Sequence, residues 1–548
     1  MNDNNISVNK IALTVGLISL LVYLRALSCQ FVNWDDTDYV LNNELIRSLD
    51  SNFLRLIFTT LPFDFYIPIT WISFAIDYFF WGLNPFGYHL TNILIHAVNG
   101  GLVVYLANRL LQGASSVQEF VPRKRSLYAA TLLLSGLFFA LHPLRVESVA
   151  WVTERKDVLN GFFTLSSIIC YLRYVRGWDD GEGRTAIYRG YIPAFILFLM
   201  SLMSKPTSIV LPFMLLVLDW YPLARLQKSR LQSVLLEKLP FVIFSLAIIP
   251  ASIVWYAKEE TFHSLSYFPL FVRIVVSGNA LFKYFALMLF PIHLLPFYNL
   301  PMAIPKVYIL ETVVVLMVLV CSVYWGRKRP WIIAALISFI LPIIPVLPFL
   351  GNGASLALAA RYTYLPSILP GILVALLITN YYSRAKTAVG RRVAAASVIV
   401  LLLFYAGMTQ NMISVWINSG TMWSRVIEYE PFDRAYFYRA LYYTDSGSYA
   451  SAVEDYTSCI IIATSQQLSE IYNLYAFRGE ALILAERYEE AVEDFSAAIS
   501  LFPHKLYYYH RAIALNKMGK QRDAEQDSLL AGRAAGKMHW FPKGSAVN

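Results

Sequence analysis

Charged residues are scarce in this chain of 548 residues, because they make up only 15% of it, whereas soluble proteins carry about 25%. Hydrophobic residues account for 57%. Apolar stretches of about 17–25 residues, each long enough to cross a bilayer, recur over the first ~410 positions. This composition excludes an ordinary soluble protein and predicts a polytopic membrane domain.

Cysteine is also rare, and the four cysteines are scattered without a CxxC pair. This spacing predicts neither a disulfide framework nor a zinc site. The first apolar run lacks a small-residue cleavage site behind it, so we expect an uncleaved first span. Basic residues lie in short loops and not along one face, which argues against nucleic-acid binding.

The distribution of basic residues among the loops predicts which side of the membrane each loop faces. Basic clusters such as Arg123–Arg125 and Arg327–Arg329 should face the cytoplasm. We read Tyr66–Gly82 and Phe271–Pro291 as interfacial or re-entrant because both carry polar residues. About 11 spans then place the N-terminus inside and the C-terminal part outside. The predicted spans are 11–28, 90–111, 127–141, 157–172, 190–204, 207–221, 239–257, 306–325, 331–350, 363–382 and 393–411.

The C-terminal part has a different character and is self-similar. Ala435–Ile460 matches Leu474–Ile499, and a third copy begins at Tyr507. A period near ~34 residues, with small residues at the helix crossings, is typical of tetratricopeptide (TPR) repeats. The predicted division is a membrane domain over 1–412, a connecting segment over 413–431 and about three repeats over 432–548. Such arrays bind proteins or peptides, although a structural lid or a dimerisation surface is the alternative.

Paired carboxylates follow the first span. Asp35 and Asp36 are adjacent, and Asp38 comes two positions later. Carboxylates are costly near hydrocarbon and gain nothing from anionic headgroups, which makes them functional candidates. Their ordinary alternative is an Asx-turn or a helix cap. A carboxylate here could take a proton from an attacking hydroxyl, or the pair could bind a divalent cation.

Further charged residues collect on the predicted outer side, in Leu141–Phe163, at Lys205 and at Arg361. Arginine and lysine can bind the phosphate of a membrane lipid at the surface where these residues lie. For the basic residues, simple interfacial anchoring is the alternative.

Four features together resemble a known family: the motifs NWDDTDYVLNN, HPLRVESVAWVTERKDVL and RYTYLPS, followed by the repeat tail. The chain resembles the TMTC-type transmembrane and tetratricopeptide-repeat O-mannosyltransferases of the GT-C glycosyltransferase class. The resemblance implies an all-α fold in which a GT-C-type membrane domain precedes a TPR α-solenoid.

The resemblance also implies an activity: transfer of a hexose, such as mannose, from a polyprenyl-phosphate sugar to a hydroxyl of a protein or glycan on the non-cytoplasmic face, usually with inversion. It places the general base at Asp35 or Asp36, with no certain cofactor and at most a divalent cation (Mg²⁺ or Mn²⁺) on that pair. With the charged residues listed above, we predict donor-phosphate and lipid contacts at Arg361, Lys205, Arg155, Tyr362 and Tyr364. The predicted substrate-pocket residues are His142, Glu147, Trp151, Asp157 and Asp38.

Two other functions are consistent with parts of the sequence. A membrane-anchored scaffold would use the repeats to recruit proteins but would need only one or two spans. A transporter would place its charges near the midplane, whereas here they gather at one face. We expect a bacterial inner-membrane protein with a periplasmic repeat domain, the alternative being the endoplasmic reticulum with lumenal repeats.

Overall fold

The computed structural model describes residues 7–60, 62, 66–113, 121–258, 269–301, 303–347, 356–466 and 470–532. The chain divides into two compact units, Met1–Ile417 and Asn418–Asn548. Each unit is helical, and each is treated separately below.

Unit one is a helix bundle, in which the apolar runs of the sequence form the long helices. The helices are α1 (Val8–Tyr23), α2 (Ser51–Thr59), α3 (Pro68–Trp81), α4 (Pro85–Gly113), α5 (Arg125–Ala140), α6 (Val146–Ala150), α7 (Arg155–Asp179), α8 (Arg184–Ala186), α9 (Ile192–Leu202), α10 (Leu211–Trp220), α11 (Leu231–Lys258), α12 (Leu270–Leu289), α13 (Lys306–Gly326), α14 (Pro330–Ile340), α15 (Ile368–Arg384) and α16 (Ala388–Val415).

Among the described residues, eight helical segments are long and apolar enough to cross a membrane, or nine if the bent pair Arg125–Ala140 and Pro143–Ala150 counts as one. Three shorter apolar helical segments, Pro206–Trp220, Pro330–Val346 and Ile368–Arg384, accompany them. The multi-pass membrane protein predicted from composition is therefore confirmed. Fewer helices than the predicted 11 or so meet the length criterion, because breaks at proline shorten several of them.

Helix α12 meets the length and hydropathy criteria for a span, whereas the sequence predicts an interfacial or re-entrant segment over Phe271–Pro291. Met288 O near its C-terminus lies 3.1 Å from His142 Nε2, and Val275 O accepts a hydrogen bond from Thr312 in the first turns of α13. The interfacial placement of α12 remains a prediction.

We call the end of unit one that holds Asp35, Glu147 and Arg361 the charged end. Helices α1, α5 and α9 finish there and α4 and α7 start there, so the connecting turns bring polar residues together. A short antiparallel ribbon joins β1 (Tyr298–Asn299) to β2 (Leu356–Leu358). Because β2 leads directly into the 3₁₀ turn Ala360–Thr363, this ribbon helps to place Arg361.

Close helix packing depends on small residues. Gly101 of α4 faces Ala12 of α1, where an added Cβ would lie 3.3 Å from the Ala12 carbonyl oxygen. Gly16 faces Ala97 in the same way, at 3.3 Å from its carbonyl oxygen. Small residues at crossings allow membrane helices to approach closely.

Unit two contains α17 (Ser419–Tyr429), α18 (Asp433–Asp445), α19 (Tyr449–Ser465), α20 (Ile471–Leu484), α21 (Tyr488–Leu501), α22 (Lys505–Lys517) and α23 (Gln521–Ala531). The last six form three helix pairs at the positions of the sequence repeats. Each pair carries one bidentate arginine–aspartate bond, at 2.7–2.8 Å: Arg439–Asp455, Arg478–Asp494 and Arg511–Asp527. The assignment of these pairs as TPR repeats remains a prediction.

Candidate active site

Two segments of the charged end are joined by Asp36. Its Oδ2 accepts a hydrogen bond from the backbone N–H of Val32 at 3.0 Å. Its Oδ1 accepts from Thr153, both from the backbone N–H at 2.9 Å and from the hydroxyl at 2.5 Å. The residue is buried, and burial raises its pKa to about 7. Asp36 therefore ties the loop after α1 to the turn before α7.

Asp35 faces the other way. Its side chain is 34% exposed, and its Oδ2 lies 3.7 Å from Lys156 Nζ. Desolvation raises the pKa of Asp35, while Lys156 and Arg361 oppose that rise. Of the adjacent pair, Asp35 is thus the carboxylate that a substrate can reach, and Asp38 stands exposed on the next turn.

Glu154 lies at the centre of a charge cluster. It is buried, and its carboxylate is 3.4 Å from Lys156, 3.1 Å from Lys205 and 3.3 Å from Arg361 Nε. An unpaired buried carboxylate would be strongly destabilising, so three cations around one acid make its burial tolerable. Glu154 is thus the carboxylate that these three cations share.

Arg361 is fixed from several sides. Its backbone N–H donates to Glu147 Oε2 at 3.0 Å, and its guanidinium donates to Glu147 Oε1. The guanidinium also lies 5.3 Å from the Trp151 ring centroid and 4.9 Å from that of Tyr362. Such contacts orient the cation while leaving part of its donor set for a ligand.

Lys205 enters the cluster from the turn before α10. Its ammonium donates to Asp157 Oδ1 at 2.5 Å and to Glu154 Oε2 at 3.1 Å. Burial alone would lower the pKa of Lys205, but Asp157 and Glu154 raise it above its ordinary value. Lys205 therefore stays charged in this buried place.

A small cleft, partly open to the surroundings, lies beside the cluster. It is lined by Asp157, Asn160, Lys205, Thr207, Pro342, Val346, Arg361, Tyr362, Tyr364, Leu365 and Pro366. Its wall thus combines two cations with apolar side chains, a combination that can bind an anionic group attached to an apolar chain.

Three of the predicted site residues have their polar atoms engaged elsewhere. The Arg155 guanidinium donates to Asp77 at 2.6 Å and to the Tyr88 carbonyl at 2.7 Å, so the phosphate contact predicted for it has no support here. The Tyr364 hydroxyl accepts from Asn99 at 2.9 Å and lies 2.8 Å from His96 Nδ1. The third is His142, whose ring nitrogens lie near Met288 O and the Leu144 N–H.

The remaining predicted residues are close to the cluster. Glu147, Asp157 and Tyr362 contact Arg361 or Lys205, as described above. Trp151 is buried and lies between two other indoles: its ring centroid is 4.4 Å from that of Trp34 and 5.5 Å from that of Trp416.

Sequence reasoning assigned no role to Glu154, Lys156 or Trp34. Glu154 and Lys156 belong to the sequence TERK (153–156). In this sequence, an acidic residue next to two basic residues is the feature that could have indicated a charge cluster. Trp34 directly precedes the acidic pair, but its stacking on Trp151 depends on a contact across 117 positions. Such a contact has no local sequence pattern.

The carboxylate pair does not fit a divalent cation in this geometry. Both Asp36 oxygens accept hydrogen bonds from N–H or O–H donors, and Asp35 faces an ammonium group. Within the part of the chain that the structure describes, no group of three or more His, Cys, Asp or Glu residues could hold a metal ion.

Parts of this chain are similar in sequence to known proteins. The protein O-mannosyl-transferase tmtc2 of Xenopus laevis is 27% identical over 242 residues, which cover 42% of this chain and 27% of that protein. TMTC4 of Mus musculus is 30% identical over 183 residues, 31% of this chain and 24% of that protein. TMTC4 of Homo sapiens is 31% identical over 176 residues, 30% of this chain and 23% of that protein.

This chain is a relative of the TMTC proteins. The resemblance predicted from the motifs is therefore confirmed. The alignments span about a quarter of the length of these TMTC relatives. No protein-family model and no solved structure matches the chain.

Proposed function

We propose that the chain is an integral-membrane glycosyltransferase that moves a hexose, such as mannose, from a polyprenyl-phosphate sugar to a hydroxyl of a protein or glycan. The observation that carries this proposal is the partly exposed Asp35 carboxylate beside three clustered cations at one end of an apolar helix bundle. The names of the relatives, all protein O-mannosyl-transferases, support the choice of reaction.

The proposed reaction is a single displacement with inversion. The acceptor oxygen attacks the anomeric carbon as Asp35 takes the hydroxyl proton. The bond between that carbon and the phosphate oxygen breaks, and its electron pair leaves with the lipid phosphate. Arg361 and Lys205, which line the cleft, stabilise the phosphate as its charge increases.

Asp36 contributes to this reaction by positioning Asp35. Its hydrogen bonds to Val32 and Thr153 fix the backbone that carries Asp35. Glu147 has the same kind of role for Arg361. No step in this scheme involves a metal ion.

The setting that we propose is a bacterial inner membrane, with the charged end and unit two in the periplasm. This places the cluster at the membrane surface, where a lipid-linked sugar can meet its acceptor. We assign unit two to acceptor binding, because arrays of helix pairs commonly bind proteins.

The deciding experiment compares three single variants of the full chain. Mannose transfer from polyprenyl-phosphate mannose to a pool of serine- and threonine-containing peptides is measured for Asp35→Asn, Asp36→Asn and Glu44→Gln. We expect Asp35→Asn to lose about 10²–10⁴-fold in kcat, as expected for loss of a general base, with little change in thermal stability. Asp36→Asn should lose activity together with stability.

Glu44→Gln is the matched control, since the Glu44 side chain is 89% exposed in the same loop. Full activity in Asp35→Asn would refute the assignment of the base. Absence of any sugar transfer by the unmodified chain would instead favour a scaffold.

A further inference from the structure

Lys156 stands between the proposed base and the proposed phosphate site. Its ammonium is 3.7 Å from Asp35 Oδ2 and 3.4 Å from Glu154 Oε1, and it lies 4.8 Å from the Tyr39 ring centroid. Arg361 and Lys205 contact the same Glu154 from the side of the cleft. Lys156 is thus the cation shared by Asp35 and the cluster.

The cluster contains one more acid than it contains cations. Its acids are Asp35, Glu147, Glu154 and Asp157, and its cations are Lys156, Lys205 and Arg361. Two of the cations are held closely, Arg361 by Glu147 and Lys205 by Asp157 at 2.5 Å. Lys156 has the longest ion-pair distances of the three, so it is the cation that can most readily change partner.

The proposed reaction moves negative charge past this residue. When the acceptor proton reaches Asp35, that carboxylate becomes neutral. When the glycosidic bond breaks, the lipid phosphodiester, with one negative charge, becomes a phosphomonoester with up to two. The cation demand therefore falls at Asp35 and rises at the phosphate in the same step.

We propose that Lys156 is a catalytic counter-ion that follows this charge, pairing with Asp35 before transfer and with the departing lipid phosphate after it. The inference rests on the proposed function and adds a residue to it. A flexible four-carbon stem and a compact ammonium group suit such a change of partner. Lys156 should therefore bind the product phosphate more strongly than it binds the donor.

The test uses the full chain in detergent, with polyprenyl-phosphate mannose as donor, the peptide pool as acceptor and polyprenyl phosphate as product inhibitor. We expect Lys156→Gln to lower kcat by about 10²-fold or more, the usual cost of losing one transition-state contact. The donor KM should change little, whereas inhibition by polyprenyl phosphate should weaken strongly. Lys156→Arg should retain most of that inhibition, because it retains the charge.

Lys306→Gln is the control, since Lys306 is exposed at the first turn of α13. If Lys156→Gln does not fold, because Asp35 is left without its cation, the double variant Asp35→Asn/Lys156→Gln is used in its place, since both members of the ion pair are then neutral. Product binding is then compared with that of Asp35→Asn alone, and we expect weaker binding in the double variant. Equal product binding in these comparisons overturns the role of Lys156.

The outcome for Lys156 is separable from that for the proposed function. If Asp35→Asn is inactive while Lys156→Gln keeps its kcat and product inhibition, only the counter-ion role fails. If Asp35→Asn transfers sugar normally, the assignment of the base fails, and if the unmodified chain transfers no sugar, the proposed function itself fails.

Discussion

Asp35 and Asp36 are neighbours in sequence but have opposite environments. Asp36 turns inward and accepts three hydrogen bonds from Val32 and Thr153, whereas Asp35 turns outward toward Lys156. A buried carboxylate needs such donors, and the same donors remove it from chemistry. Asp36 therefore has a structural role, although it forms neither an Asx-turn nor a helix cap, and Asp35 is the member of the pair that we propose as the base.

The pH dependence of transfer should report the environment of Asp35. Desolvation raises its pKa above the ordinary value of about 3.9, and a base must be ionised to act. Activity should therefore fall on acidification at a higher pH than for an ordinary aspartate. Because Lys156 lowers this pKa, Lys156→Gln should move the acidic limb further toward neutral pH.

The measurement is a profile of kcat/KM against pH for the unmodified chain, Lys156→Gln and Lys156→Arg. In Lys156→Arg, the acidic limb of the profile should lie at nearly the same pH as in the unmodified chain. An acidic limb at the ordinary aspartate pKa, or one that moves to lower pH in Lys156→Gln, would contradict the prediction.

At the scale of elements, the C-terminal part of α16 and the two residues after it support both segments of the site. Thr409 donates to the Leu141 carbonyl at 2.9 Å, and the Ile417 carbonyl accepts from the Gln30 N–H at 2.8 Å. Trp416 completes the indole stack through Trp151 to Trp34. One helix end thus holds the loop that carries Asp35 and the turn that carries Glu154.

The sequence could predict only part of this arrangement. Hydropathy located the helices, and the motifs located the segments that carry Asp35, Glu147 and Arg361. The sequence could not predict which partner each basic residue has. Arg155 and Lys205 are both positively charged, yet Arg155 pairs with Asp77 inside the bundle, whereas Lys205 lines the cleft. That difference depends on contacts between distant segments.

Replacing Trp416 should therefore disturb a site that it does not touch. Trp416→Ala removes a buried indole, a change that costs about 3–5 kcal/mol in the free energy of unfolding of soluble proteins, and it frees one face of Trp151. We expect lower thermal stability together with a reduced kcat. Trp416→Phe should restore part of both, because it keeps an aromatic ring in the stack.

Trp325→Ala is the matched control, since Trp325 is 61% exposed on α13. Thermal unfolding and peptide mannosylation measured on the same preparations check the prediction. If Trp416→Ala behaves like Trp325→Ala in both measurements, the stack has no positioning role.

At the scale of the whole molecule, the number of membrane crossings determines on which side of the bilayer each loop lies. Helix α12 is long and apolar enough to span, and if it did, every later loop would change sides. The contacts of unit one argue against a change of side. Pro342 and Val346 after α14 border the cleft at the charged end, while Gly326 at the end of α13 packs against Ile333 near the start of α14. The loop 327–329 therefore lies toward the opposite end of the bundle from Arg361.

Cysteine labelling tests this topology directly. In a background whose four native cysteines are replaced by serine, Glu44→Cys and Lys328→Cys are exposed to a membrane-impermeant maleimide in intact cells and in inverted vesicles. We expect Glu44→Cys to react from the non-cytoplasmic side and Lys328→Cys only from the cytoplasmic side, where the positive-inside rule places the basic loop. Reaction of both from the same side would mean that α12 crosses the membrane. Reaction of Glu44→Cys only from the cytoplasm would put Asp35 on the wrong face for a lipid-linked sugar, and would remove the basis of the proposed reaction.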